Sequence, residues 1–140
     1  MIMTEDELTY KIRHAIFEVY NELGPGLLED LYKESLVLQL QSDGLNVLQE
    51  VGVPVSYKGT LLKKEKLRID ILVENEIIVE LKSVEELKKV HFKQLQTYLK
   101  LSKLHTGLLV NFNTDNIKYS IHRVFNGYLN NGQRIKYHPQ

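Results

Sequence analysis

The chain contains no cysteine, which excludes disulfides, thiol catalysis and zinc held by Cys ligands. No apolar run approaches the roughly 20 residues needed to cross a bilayer. The opening MIMTEDELTYKI lacks the basic start and apolar core of a signal peptide. From these absences we expect a cytoplasmic protein with no membrane partner. Also missing are a Gly-rich phosphate loop, a dinucleotide fingerprint and any hint of a Ser-His-Asp arrangement, so the common rival enzyme classes gain no support. There is no internal repeat and no low-complexity segment.

Net charge is missing too, because 18 Lys and Arg balance 18 Asp and Glu. The balance is uneven along the chain. Residues 1–57 carry three Lys/Arg against ten Asp/Glu, residues 58–103 eleven against seven, and residues 104–140 four against one. A nucleic-acid partner is therefore compatible with one side of the molecule only, and the total charge gives it no support.

What is present suits a soluble globular protein: 140 residues, 43% hydrophobic and 26% charged. That is enough for one domain with a real core. We expect a single domain over 1–140, its core at about 8–125, with a weakly specified Asn/Gly-rich tail over 126–140.

Thr4 and Glu7 have capping-box spacing, and Leu8, Ile12, Ala15, Ile16, Val19 and Leu23 form one apolar stripe, which predicts a first helix. Gly24-Pro25-Gly26 breaks it. A second helix is predicted from Leu27 or Leu28 to Ser42. With Leu28, Leu31, Tyr32, Leu36, Val37, Leu38 and Leu40 it is apolar on more than one side, and burial is expected. One or two strands follow over Asn46–Tyr57, then a Lys58-Gly59 turn. A third helix is predicted over Glu85–Ser102, with Leu87, Val90, Leu95, Tyr98 and Leu99 inward. A strand buried on both sides is expected over Thr106–Phe112, and an alternating last strand over Ile117–Phe125. The order α-α-β-β-β-α-β-β implies an α/β (α+β) fold, a mixed β-sheet of about four to five strands flanked by helices.

The informative stretch is LRIDILVENEIIVELKS, residues 67 to 83. Its odd positions, Leu67, Ile69, Ile71, Val73, Ile77, Val79 and Leu81, read as the buried face of a hairpin. A three-residue loop of Glu74, Asn75 and Glu76 keeps that face intact. It sets Asp70 opposite Glu80 and Lys82 opposite Arg68, whereas a two-residue loop would turn the carboxylates to different faces. Like charges directly opposite each other are destabilising. A raised pKa, a bound cation, or separation by twist or bulge would each compensate. Two carboxylates suit a hard cation such as Mg²⁺ or Mn²⁺, and Lys82 adds a fixed positive charge. The bland alternative is an exposed hairpin face with Lys–Glu pairs.

Asp70, nine residues, then Glu80-x-Lys82 across a hairpin resembles the core motif of the PD-(D/E)XK nuclease superfamily. Together with Gly26-x-x-Glu29-x-x-Tyr32 in GPGLLEDLY, and with HFKQLQTYLKLS and TGLLVNFN, the chain is more specifically similar to the GxxExxY family. The resemblance covers roughly residues 8 to 125 and implies a restriction-endonuclease-like core. It implies Asp70, Glu80 and Glu29 as metal ligands for Mg²⁺ or Mn²⁺, with Lys82 orienting water or stabilising the transition state. Gln94 matches a Gln-x-x-x-Tyr pattern that completes the catalytic set, with Tyr98, His91 and Lys93 as substrate-binding candidates. Tyr32 is read as core. Ile69 stands where the literal motif has proline, a departure the superfamily tolerates.

The resulting expectation is a metal-dependent nuclease acting on DNA, ahead of RNA, with a homodimer or partner subunit to help it grip. The alternative is a non-catalytic nuclease-fold module that binds nucleic acid or a protein.

Overall fold

The computed structural model describes residues 2–63 and 67–126. Of the expected tail over 126–140, residues 127–140 lie outside the described residues.

Helix α1 (Glu5–Leu23) starts as its sequence dictates: Glu7 N–H donates to Thr4 Oγ1 at 3.1 Å and Thr4 N–H to Glu7 Oε2 at 3.3 Å. The two reciprocal bonds satisfy amides that the first helical turn leaves without partners. Helix α2 (Glu29–Ser42) follows the Gly-Pro-Gly break. It buries Tyr32, Leu36, Val37 and Leu40 but leaves Leu28, Leu31 and Leu38 exposed. The expectation of burial on more than one side is thus corrected, because only one face of α2 meets the sheet.

Strand β1 (Val47–Val53) leads into a small hairpin of β2 (Ser56–Tyr57) and β3 (Thr60–Leu61), turning at Lys58-Gly59 as predicted. Strands β4 (Leu67–Val73) and β5 (Ile77–Lys82) form the hairpin of interest. Helix α3 (Lys89–Ser102) then crosses to β6 (Thr106–Asn111), which is buried throughout. A 3₁₀ turn over Ile117–Ser120 precedes β7 (Ile121–Phe125). The main sheet has the order β1-β4-β5-β6-β7, with β5 and β6 parallel and the other pairs antiparallel. This is a mixed five-stranded α+β architecture consistent with a restriction-endonuclease-like core. No helix among the described residues is long and apolar enough to cross a membrane.

Two boundaries and the facing of one residue differ from expectation. Helix α3 begins at Lys89, not Glu85, because Asn111 captures the preceding loop: its Oδ1 accepts from Val84 N–H at 3.0 Å and its Nδ2 donates to Val84 O at 2.9 Å. Val90, predicted to face inward, sits in the first turn and is 62% exposed. The start of the last strand is taken by the 3₁₀ turn, which buries Ile117.

Two apolar clusters sandwich the sheet. One packs α1 and α2 residues such as Ile12, Ile16, Tyr32 and Leu36 against Ile71, Val73, Val79 and Leu81. The other packs Leu95, Tyr98 and Leu99 of α3 against Ile69, Leu72, Ile78 and Leu109. The odd residues of β4 are therefore not one stripe. Ile71 and Val73 join the first cluster, while Ile69 joins the second. Residues two apart on a regular strand share a face, so β4 must turn over between Ile69 and Ile71, and Asp70 is the residue between them.

Candidate active site at the β4–β5 fork

The β4–β5 ladder follows the register that the hydrophobic pattern selects, with Val73 opposite Ile77 and Ile71 opposite Val79. Glu74 and Asn75 make the turn with φ of 52° and 53°, and Glu76 N–H closes it onto Val73 O at 3.0 Å. Beyond Ile71 the strands part. β4 stays paired with β1 down to Leu67, while β5 stays paired with β6 up to Lys82 opposite Asn111. The sheet forks here. Contrary to expectation, Lys82 does not face Arg68, because the ladder ends first; Arg68 instead lies opposite Gly52 and its guanidinium donates to Glu50 O at 3.2 Å.

Two carboxylates occupy the fork. Glu80 Oε1 accepts the Asp70 N–H at 3.0 Å, and Asp70 Oδ2 accepts the Leu81 N–H at 3.1 Å. Each side chain takes up an amide that the missing ladder leaves without a partner, as a buried backbone donor requires. Glu80 is 5% exposed. Burial first, and then the charge of Asp70, push its carboxyl up to about 9. Burial and the Asp70 charge thus both favour the neutral form of Glu80.

Glu29 stands in the first turn of α2, half-buried. Burial raises its pKa, with the Lys82 charge opposing and that of Asp70 reinforcing the rise, so it lies within coulombic reach of both. The Gly26-x-x-Glu29-x-x-Tyr32 spacing has a structural reason. Gly26 adopts φ +93°, a region that side chains disfavour. The Tyr32 hydroxyl donates to Gly24 O at 2.5 Å and accepts from Leu27 N–H at 3.1 Å, while its ring stacks on Phe112 with centroids 4.3 Å apart. Ser83 Oγ donates to Leu27 O at 2.5 Å. The loop before Glu29 is thereby fastened to the end of β5, just past Lys82.

Helix α3 covers the other face. Gln94 Nε2 donates to the Tyr98 hydroxyl at 3.0 Å. Tyr98 is 4% exposed, and burial followed by the Glu80 charge raises its pKa, which puts it beside the fork. His91 is engaged at the helix start, where its Nδ1 accepts Lys88 N–H at 2.9 Å; burial and then the charges of Lys82 and Lys88 lower its pKa. Lys93 is exposed.

Among the described residues, no group of three or more His, Cys, Asp and Glu side chains is placed to hold a metal ion. Of the three expected ligands, Asp70 and Glu80 are turned onto backbone amides, and Glu29, on α2, lies within the charge field of Asp70. The pair itself fits a hard divalent ion, which would relieve the repulsion between the two carboxylates.

Sequence reading missed three contributors. Lys33, one turn after Glu29, pairs with Glu50 of β1. Asn111, the polar residue closing an apolar strand, holds the β5–α3 loop, and Ser83 ties the α2 loop down. Lys33 alone had a signal, its i+4 spacing from Glu29.

A family model described as the PD-(D/E)XK nuclease superfamily matches residues 6–124. No curated protein matches the chain.

Proposed function

Because the chain belongs to the PD-(D/E)XK nuclease superfamily, we propose that the β4–β5 fork hydrolyses phosphodiester bonds of nucleic acid, DNA in preference to RNA, with Mg²⁺ or Mn²⁺. The observation that carries this is the Asp70–Glu80 pair, two carboxylates brought together at the fork with Glu80 buried. The Gly26, Glu29 and Tyr32 triplet supports assignment to the GxxExxY branch.

Asp70 and Glu80 would hold the ion, with Glu29 completing the set from α2. The ion supplies Lewis acidity toward the phosphodiester. The Lys82 ammonium, half-buried at the end of β5, orients the attacking water and offsets the charge that develops on phosphate. Gln94 holds the Tyr98 hydroxyl beside Glu80 and so fixes the wall against which the substrate sits. His91 and Lys93, from the first turns of α3, contact the flanking backbone.

A second reading, a non-catalytic nucleic-acid or protein-binding module, draws on the carboxylates' ties to backbone amides. One experiment separates the two. Labelled single- and double-stranded DNA and RNA are incubated with the protein in Mg²⁺ or Mn²⁺, beside Asp70→Ala. Metal-dependent cleavage lost in the variant is expected. Absence of both cleavage and calorimetric metal binding would favour the binding module.

A further inference from the structure

On the far side of Asp70 from Lys82 lies a second lysine with unusual surroundings. Glu50 sits in β1 between Gln49, opposite Ile71, and Val51, opposite Ile69, so it occupies the place across from Asp70. Its φ is 52°, a conformation uncommon for a non-glycine residue and costly inside a strand. Its carboxylate reaches the ammonium of Lys33, whose side chain is only 18% exposed. Lys33 follows Glu29 by four residues, so both project from the same face of α2. It also feels the Asp70 charge.

The strands β1, β4 and β5 are neighbours in that order. Glu50 and Asp70 therefore lie across from each other on β1 and β4, and Glu80-x-Lys82 continues the row on β5 across the fork. A lysine stands at each end, and Glu29 lies within the charge field of both. The Lys82 end serves the reacting phosphate. A nucleic-acid strand laid along the row would bring another backbone phosphate to the β1 end.

The geometry points to Lys33 as a substrate-binding residue that takes a phosphate next to the one cleaved, Glu50 holding its ammonium until the nucleic acid replaces that carboxylate. This rests on the nuclease reading of the fork. A lysine that contacts phosphate adds about one unit to the slope of log affinity against log salt, whatever the sequence bound. Glu50 competes for the same ammonium, so the two residues should have opposite effects on binding, and the change in salt slope marks the phosphate contact.

The test uses the full chain and a labelled oligonucleotide, single- and double-stranded, with binding read by anisotropy over a salt series. It is run in EDTA and again in Ca²⁺, beside thermal melts of each variant. Lys33→Met should weaken binding roughly tenfold and lower the salt slope by about one, Lys33→Arg should restore both, and Glu50→Gln should bind as tightly or more tightly. Unchanged affinity and slope in Lys33→Met would overturn the assignment. So would parallel losses in Lys33→Met and Glu50→Gln that track lowered melting temperatures, since those belong to an ion pair pinning α2 to β1. Wild-type protein that binds no oligonucleotide in either buffer would remove the nucleic-acid reading itself, and the role of Lys33 with it.

Discussion

Asp70 and Glu80 are joined by backbone as much as by side chain: Glu80 accepts the Asp70 amide at 3.0 Å while Asp70 accepts the amide of Leu81 at 3.1 Å. Where two strands separate, carboxylates stand in for the ladder. They are structural groups of the fold before they are anything else.

Stability should therefore report on Glu80. Its folded pKa, about 9, lies above the 4.5 of the free group. Between those values the native state holds a proton that the unfolded chain does not, so its stabilising effect is complete below about 4.5 and is lost as pH rises toward 9. Melts of metal-free protein should fall from pH 5 to 9. Glu80→Gln, which mimics the neutral form, should flatten that fall, and a variant melting in parallel with wild type would refute the assignment. Mg²⁺ should raise the melting temperature of wild type more at pH 8 than at pH 5, and should not do so for Glu80→Gln.

The opposite end of the sheet predicts the opposite trend. Glu5 accepts from His105 Nδ1, from the Thr106 hydroxyl and from Arg123 Nη2, clamping α1 to β6 and β7. Burial alone would raise its pKa, but these hydrogen bonds together hold it below 4.5. Its contribution is present above the unfolded value and lost as pH falls through the folded one. Glu5→Gln should cost about 1–3 kcal/mol at pH 7 and shift acid unfolding less than neutral unfolding. Denaturant titrations at pH 7 and pH 3.5 measure both.

Tyr32→Phe keeps the stacking on Phe112 but leaves Gly24 O and Leu27 N–H without their partner. A loss of about 1–3 kcal/mol is expected. Because the same loop sets Glu29, cleavage should drop further than the lost stability explains. Assays well below the variant's melting temperature separate the two effects, and full activity there would show that the loop does not position Glu29.

Gly107→Ala tests the packing of α3. A Cβ there would lie 2.8 Å from Leu95 Cδ1 and 3.2 Å from Ile78 O. Overpacking of this kind costs about 1–3 kcal/mol. Leu95→Ala in the same chain should recover part of that loss, a coupling that a double-mutant cycle by denaturant unfolding would detect.

The hairpin register was legible because one face of each strand is apolar and a one-residue slip would expose it. Helix α1 was legible for a similar reason, with its cap and stripe both local. What escaped was set by partners far along the chain. Glu85–Lys88 reads as helix by composition, yet Asn111 holds the neighbouring Val84 from another strand. Leu28, Leu31 and Leu38 look like core, yet α2 meets the sheet on one face only. The turning-over of β4 at Asp70 leaves no mark in LRIDILV, since Ile69 and Ile71 are both buried. Asp70, Glu80 and Lys82 were recognisable by spacing. Lys33 and Glu50, 17 residues apart, meet only through the fold.

The fastening of the α2 loop has a consequence for how the molecule comes into being. Leu27 and Ser83 are 56 residues apart, and Tyr32 stacks on Phe112 from still further away. The β4–β5 hairpin can form early from nearby sequence, whereas contacts of such long span wait on chain closure. Asp70 and Glu80 can therefore meet before Glu29 is brought to them. A ribosome-bound chain would carry the motif while lacking its assembled centre until residue 112 had emerged and packed, so any cutting capacity appears as one of the last acts of folding.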